Sequence, residues 1–251
     1  HINPAIAVAN RIKMISPGAE IAFVGTEKGM ESSLVPKAGY PIRFVKVRGF
    51  KRKLTLANID AAIKAVTSVV AAKRIIRDFQ PDVVIGTGGY VSWPTVKAAA
   101  KLGVPTLIQE QNAFPGVTQR MLAKYADKIC VSFEESRKFF DASVQDKILL
   151  TGIPVSASGI TRAQAREKLG LEPGALYVVS SGGSLGAEKV NEYVFEVIGS
   201  YTGPKGIRHI HSGGRAGWEK YSTNANEPGF YKYTVEAAFF GDCTVLFPAR
   251  A

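Results

Sequence analysis

Two cysteines and three histidines in 251 residues leave little material for a disulfide framework or a metal centre. Cys130 and Cys243 each lie inside an apolar, strand-like run, and each reads as a lone buried thiol. His209 and His211 alternate along a strand without zinc spacing to other ligands, and they read as strand surface residues. This cysteine usage is compatible with a reducing compartment. No apolar run reaches the roughly 18 residues of a spanning helix, so no transmembrane helix is expected. The first residues carry no secretory-leader pattern. Short-period repeats and low-complexity tracts are missing. So are RNP-like, KH and zinc-finger patterns, and the aromatics do not cluster as stacking platforms; nucleic acid is not an expected partner.

Acidic residues are absent from the whole interval between Glu31 and Asp60, which holds Lys37, Arg43, Lys46, Arg48, Lys51, Arg52 and Lys53. The formal net charge is +11, which favours an anionic partner. Phe44, Val45, Val47, Phe50, Leu54 and Leu56 interleave with the basic residues. Two readings stay open: a solvated basic face, or a patch in which Arg43, Arg48, Phe50, Lys51, Arg52 and Lys53 meet an anionic membrane surface. In the second, part of the apolar stripe of the helix from Ala57 also faces lipid.

Apolar runs alternate with helix-period segments along the chain. Strands are expected at Ile21–Val24, Ile42–Val47, Val83–Ile85, Pro105–Gln109, Lys128–Val131 and Ile148–Leu150. The helices expected between them are Pro4–Ile15, Lys28–Lys37, Ala57–Phe79, Ser92–Lys101, Gly116–Lys124 and Glu135–Phe140. Asn3 before Pro4 reads as an N-cap with proline at the first helical position. The alternation implies an α/β doubly wound parallel sheet. Such a fold places a strand before its first helix, so a preceding strand is expected to be missing. After Leu150 the pattern breaks, and it restarts with a strand at Leu176–Ser180, a glycine loop, a helix to about Ser200 and a strand at Ile207–Ser212. The organisation expected is a first domain over 1–152, a linker over 153–174, and the start of a second α/β domain over 175–251, incomplete at Ala251.

Two loops of the first domain carry the chemistry. Gly86-Thr87-Gly88-Gly89 follows one strand, and the cluster Gln109, Glu110, Gln111, Asn112 ends the next. In a parallel sheet both emerge at the carboxyl edge, where open α/β folds bind ligands. Glycines admit close approach of a ligand, and the following helix directs its N–H groups there. Glu110 and Asn112 suit sugar or peptide groups; the alternative is that they cap the loop. Thr118, Gln119 and Arg120 stand at the next helix start as further candidates. In the second domain Gly182-Gly183-Ser184-Leu185-Gly186 lies between strand and helix and suits a phosphate. It is neither GxGxxG nor a P-loop with its lysine. A histidine placed as His1 is, ahead of the first helix, can take a proton from an attacking hydroxyl; alternatively it is a terminal residue without a role.

HINPAIAVA, VGTEKGME, VIGTGGYVSWP, QEQNAFPGVTQRMLAKYAD, TGIPV and SSGGSLGAEKVN occur in that order. From His1 to about Asn191 the chain thereby resembles the MurG family, bacterial UDP-N-acetylglucosamine:N-acetylmuramyl-(pentapeptide) pyrophosphoryl-undecaprenol N-acetylglucosamine transferases. The resemblance implies a GT-B fold of two Rossmann-like domains. It implies inverting transfer from UDP-N-acetylglucosamine to the lipid-linked muramyl pentapeptide, without metal or cofactor, peripherally at the cytoplasmic face of the bacterial cell membrane. The absence of an Asp-x-Asp pair at a strand end agrees with the metal-free expectation. By the same resemblance His1 is a general base, and Gly88, Gly89, Tyr90 and Ser92 hold the acceptor diphosphate. Glu110 and Asn112 form the acceptor-side polar pair, while Gly183, Ser184, Gly186 and Asn191 lie on the donor side.

This sequence departs from the family pattern at several points. Leu185 stands where glutamine is usual, Ile153 and Ser156 replace the usual Asn and Arg, and the glycines expected before His1 are not in the chain. Arg250-Ala251 resembles the start of a further family segment, so the ribose-gripping acid is expected beyond it. Two alternatives remain: a GT-B transferase for another lipid acceptor, and an inactive remnant that binds membrane.

Overall fold

The computed structural model describes residues 1–47, 57–156, 159–171, 174, 176–182, 187–201, 207–213, 230–235 and 243–248. For 57–66, 198–201, 207, 208, 210, 212, 230–235 and 243–248 the backbone alone is described. The chain divides into two compact units, His1–Ser158 and Gly159–Ala251, and the division falls within the 153–174 stretch.

The first unit opens with helix α1 (Ile2–Ile15), capped by His1. The N-cap is therefore His1 and not Asn3, and Pro4 lies inside the first turn. Proline is tolerated there because first-turn N–H groups have no intrahelical acceptor. Strand β1 (Phe23–Gly25) pairs in parallel with β2 (Ile42–Phe44), with α2 (Glu31–Lys37) between them. The helix starts three residues later than the periodicity suggests. Glu31 Oε1 accepts Thr26 N–H at 2.8 Å and the Thr26 hydroxyl at 2.7 Å, which closes the preceding turn.

Helix α3 (Ala57–Phe79) leads to a four-stranded parallel sheet ordered β3 (Val84–Gly86), β4 (Thr106–Glu110), β5 (Lys128–Val131), β6 (Ile148–Leu150). The crossovers are α4 (Ser92–Lys101), α5 (Val117–Leu122) and two 3-10 turns, Glu134–Phe139 and Ala142–Lys147, where one α-helix was expected. Val96, Ile108, Leu122, Ile129, Val131 and Ile148 form the core between helices and sheet. Small residues on the other face of α4, Ala98 and Ala99, meet Ala72 and Ile76 of α3. Gly86 is required at the end of β3, since a Cβ there would lie 2.7 Å from Val96 Cγ2. Cys130 is buried and free, and burial raises its thiol pKa. Cys243 lies in a strand whose side chains are outside the described set.

In the second unit, α6 (Arg162–Lys168) begins with a capping box between Thr161 and Gln164. Strand β7 (Leu176–Ser181), helix α7 (Glu188–Tyr201) and β8 (Ile207–Ser212) make a parallel crossover unit. Strands β9 (Phe230–Val235) and β10 (Cys243–Pro248) complete a sheet ordered β7-β8-β10-β9. Both pairings made by β10 are antiparallel, so this sheet is mixed. The short connection over 236–242 forces the antiparallel pairing of β9 with β10, because a parallel return needs a crossover of a dozen residues or more.

Candidate functional site

Parallel pairing brings the ends of β3 and β4 to one edge, and the first residue of the chain joins them there. His1 Nδ1 lies 2.9 Å from Thr87 O and 2.8 Å from Gln111 Oε1. The Thr87 hydroxyl returns a bond to His1 O at 2.8 Å. The imidazole rests on the glycine turn: a Cβ on Gly88 would sit 2.4 Å from Nδ1 and 2.5 Å from Cε1. Gly88 and Gly89 have φ of +109° and +77°, which L side chains rarely adopt. The Ser92 hydroxyl donates to Gly88 O and accepts Gly88 N–H at 3.1 Å, fixing the turn against α4. Tyr90 is exposed beside it.

The second loop splits by residue parity. Gln109 and Gln111 bond to each other and to the histidine side of the loop: Gln111 Nε2 donates to Thr87 O, Gln109 O and Gln109 Oε1. Gln109 Nε2 reaches Glu110 O and Ser132 Oγ, both at 3.1 Å. Glu110 and Asn112 build the connection to α5. Glu110 Oε1 accepts Asn112 N–H and Asn112 Nδ2–H, each at 2.8 Å, and Oε2 accepts Gly116 N–H at 2.8 Å. The carboxylate is 1% exposed, with both oxygens engaged by its own loop. Of the two contact modes weighed for Glu110, the loop-capping one is therefore formed. Asn112 is exposed, and its Oδ1 has no partner among the described residues. Gln119 donates to Gln109 O from inside the core, and its Oε1 has no partner among the described residues.

In the second unit Gly183, Ser184 and Gly186 lie outside the described residues, but both stems of their loop are described. Gly182 and Ala187 pinch together: a Cβ on Gly182 would lie 2.5 Å from Ala187 N. Asn191, in the first turn of α7, is 2% exposed; its Nδ2 donates to Gly213 O at 2.9 Å, and its Oδ1 lies 2.9 Å from His211 Nε2. Ser180 Oγ lies 2.7 Å from both His211 Nδ1 and His209 Nε2. The expectation of surface histidines is corrected here, for His209 and His211 are 3% and 1% exposed. The alternation did put them on one face, and that face is covered: Phe195 of α7 stands edge-on to His211 at 5.9 Å. Burial lowers the pKa of both, and His209 adds to the lowering at His211.

Asn191 Nδ2 is spent on a carbonyl, so its Oδ1 is the acceptor and His211 Nε2 carries the proton. Neutral His211 then accepts from Ser180 at Nδ1, and Ser180 accepts from His209 Nε2–H. Asn191 thus ties α7 to β8 and the residue after it, with its side chain turned inward.

Among the basic patch residues, Arg43 and Lys46 are exposed, Phe44 is 41% exposed, and Val45 is buried. Arg48, Phe50, Lys51, Arg52 and Lys53 lie outside the described residues. Among the described residues no helix is long and apolar enough to cross a membrane.

A parallel α/β unit with its polar groups at the carboxyl edge, followed by a second α/β unit with a strand–glycine–helix loop, is the architecture of GT-B glycosyltransferases. The glycosyltransferase family 28 N-terminal domain matches residues 1–131. The UDP-N-acetylglucosamine--N-acetylmuramyl-(pentapeptide) pyrophosphoryl-undecaprenol N-acetylglucosamine transferase of Acetivibrio thermocellus is 42% identical over 87% of this chain and 59% of its own length. The enzyme of the same name from Desulforudis audaxviator is 38% identical over 99% of this chain and 68% of its own. The crystal structure of Acinetobacter baumannii MurG superposes with a TM-score of 0.59 at 28% identity, covering 91% of this chain and 60% of that one. The chain belongs to the MurG family within glycosyltransferase family 28. It spans little more than half the length of several of the curated relatives it matches.

Proposed function

We propose that the protein transfers N-acetylglucosamine from UDP-N-acetylglucosamine to the undecaprenyl-diphosphate-linked muramyl pentapeptide, with inversion, as a step of peptidoglycan synthesis. The observation that carries this reading is His1, seated on Gly88, with no hydrogen-bond partner for Nε2 among the described residues. In the reaction the acceptor hydroxyl oxygen attacks the anomeric carbon, the bond to the UDP oxygen breaks, and the hydroxyl proton passes to His1 Nε2. UDP leaves with the electron pair of the broken bond.

The first unit is read as the acceptor side. Gly88, Gly89, Tyr90 and Ser92 meet the diphosphate, Asn112 meets the sugar or peptide, and Glu110 acts by holding Asn112 in place. The second unit is read as the donor side. Gly183, Ser184 and Gly186, with the first turn of α7, meet the diphosphate of UDP, and Asn191 fixes that helix to the sheet. Residues Arg43 to Lys53 are read as an anchor to the anionic inner leaflet, which places the enzyme peripherally at the cytoplasmic face.

The test is transfer of labelled sugar to a lipid-linked muramyl acceptor, with EDTA present, comparing wild type with His1→Gln. Transfer by wild type that His1→Gln abolishes supports the reading. Calorimetry with UDP-N-acetylglucosamine separates the alternatives: donor binding without transfer to this acceptor points to another acceptor, and loss of both activities marks an inert remnant.

A further inference from the structure

We infer that Gln111 is a positioning residue for His1, holding the imidazole in the Nδ1–H tautomer so that Nε2 presents a lone pair to the acceptor hydroxyl. The inference rests on the proposed role of His1 as the base. It starts from the orientation of the Gln111 amide. Its nitrogen faces three acceptors, Thr87 O, Gln109 O and Gln109 Oε1, so nitrogen and oxygen cannot be exchanged without setting oxygen against oxygen. The Gln111 oxygen is therefore the atom turned to His1, 2.8 Å from Nδ1.

The other group at Nδ1 is the Thr87 carbonyl at 2.9 Å, which can only accept. Two acceptors converge on one ring nitrogen, so that nitrogen carries the hydrogen. A neutral imidazole with hydrogen on Nδ1 has its lone pair on Nε2, and Nε2 has no hydrogen-bond partner among the described residues. The ring lies against Gly88, where even one added carbon would overlap it. Gln109, 2% exposed and bonded to Ser132, supports Gln111 from below. The sequence thus supplies an amide where a carboxylate would also bond Nδ1. The amide fixes the tautomer without adding a negative charge that would favour the imidazolium.

Long-range nitrogen–proton NMR on the full chain reads the tautomer directly, and His1→Gln identifies the His1 signals among three histidines. Wild type is expected to show His1 as Nδ1–H. Gln111→Glu places a carboxylate at Nδ1 and is expected to raise the His1 pKa by about 1–3 units, shifting the acidic limb of the pH–rate profile upward equally. Gln111→Met removes one of the two acceptors, and the Nε2–H form is expected to appear beside Nδ1–H. Wild-type His1 as Nε2–H overturns the inference. So does a Gln111→Glu protein whose His1 titrates as wild type does. Should the glutamate variant not fold, a methionine variant that keeps pure Nδ1–H overturns the role of Gln111. Failure of wild type to transfer sugar sinks the functional reading instead and leaves the tautomer result standing.

Discussion

Changing Glu110 to glutamine removes one charge and one acceptor from a carboxylate that takes three hydrogen bonds and is 1% exposed. With its remaining oxygen toward Asn112, the new amide group faces Gly116 N–H, donor against donor, across a distance that was 2.8 Å. Hydrogen bonds to a charged group contribute about 1.5–3 kcal/mol, and a buried donor left without a partner costs about 1–3 kcal/mol. The loop from Asn112 to Gly116 is therefore expected to open about 3 kcal/mol more readily. Hydrogen exchange at the Asn112 and Gly116 amides of the full chain measures this locally, and 3 kcal/mol is roughly 150-fold faster exchange. Asn112→Ala removes only the bond from an exposed side chain and is expected to cost about 1 kcal/mol or less. Acceptor use falls in both variants, while binding of UDP-N-acetylglucosamine stays unchanged. If Glu110→Gln leaves exchange at both amides as in wild type, the loop is not held by this carboxylate. Loss of acceptor use with unchanged exchange would instead place Glu110 against the substrate.

Gly88→Ala is expected to displace the imidazole and to add the roughly 1–2 kcal/mol cost of a left-handed non-glycine residue, seen as loss of the wild-type His1 NMR signals and of transfer. The folded-state pKa values of His209 and His211 lie below the ordinary 6.5. Their contribution to stability is therefore complete above pH 6.5 and is lost as pH falls from there through the folded values. The urea midpoint reported by the two buried histidines should fall on mild acidification, and a midpoint independent of pH would refute this. At the membrane patch, each basic residue near an anionic surface contributes about 1 kcal/mol. Changing Lys51, Arg52 and Lys53 to glutamine should weaken co-sedimentation with acidic vesicles at low salt and flatten its salt dependence; equal binding across the salt series rejects the anchor.

The order of strands and helices in the first unit was legible because apolar runs and helical periodicity report local burial, and parallel crossovers leave a strand–helix alternation. What the glycines do was less legible. Gly88 reads as a turn residue awaiting a phosphate, yet the atoms nearest its missing Cβ belong to His1, 87 positions earlier in the chain. No local pattern contains such a pair. The cluster Gln109 to Asn112 announced a polar site but not which members face a ligand. That division follows the pleat continuing past the end of β4, which turns Gln109 and Gln111 one way and Glu110 and Asn112 the other. His209 and His211 were placed on one face correctly and on the wrong side of the burial boundary, because alternation says nothing about which helix covers a face. The antiparallel pairing of β10 is likewise invisible to periodicity, which is the same for both strand directions.

The chain of bonds from His209 through Ser180 and His211 to Asn191 has a consequence for the chemistry open to this protein. Both rings are hydrogen-bonded within it, and they are only 3% and 1% exposed. Of three imidazoles, two are withdrawn from proton traffic and one stands at the surface on a glycine turn. Toward reagents that attack a neutral imidazole nitrogen, the folded molecule is in effect a one-histidine protein. Such a reagent therefore distinguishes the native state, labelled once, from any state in which the second unit has opened.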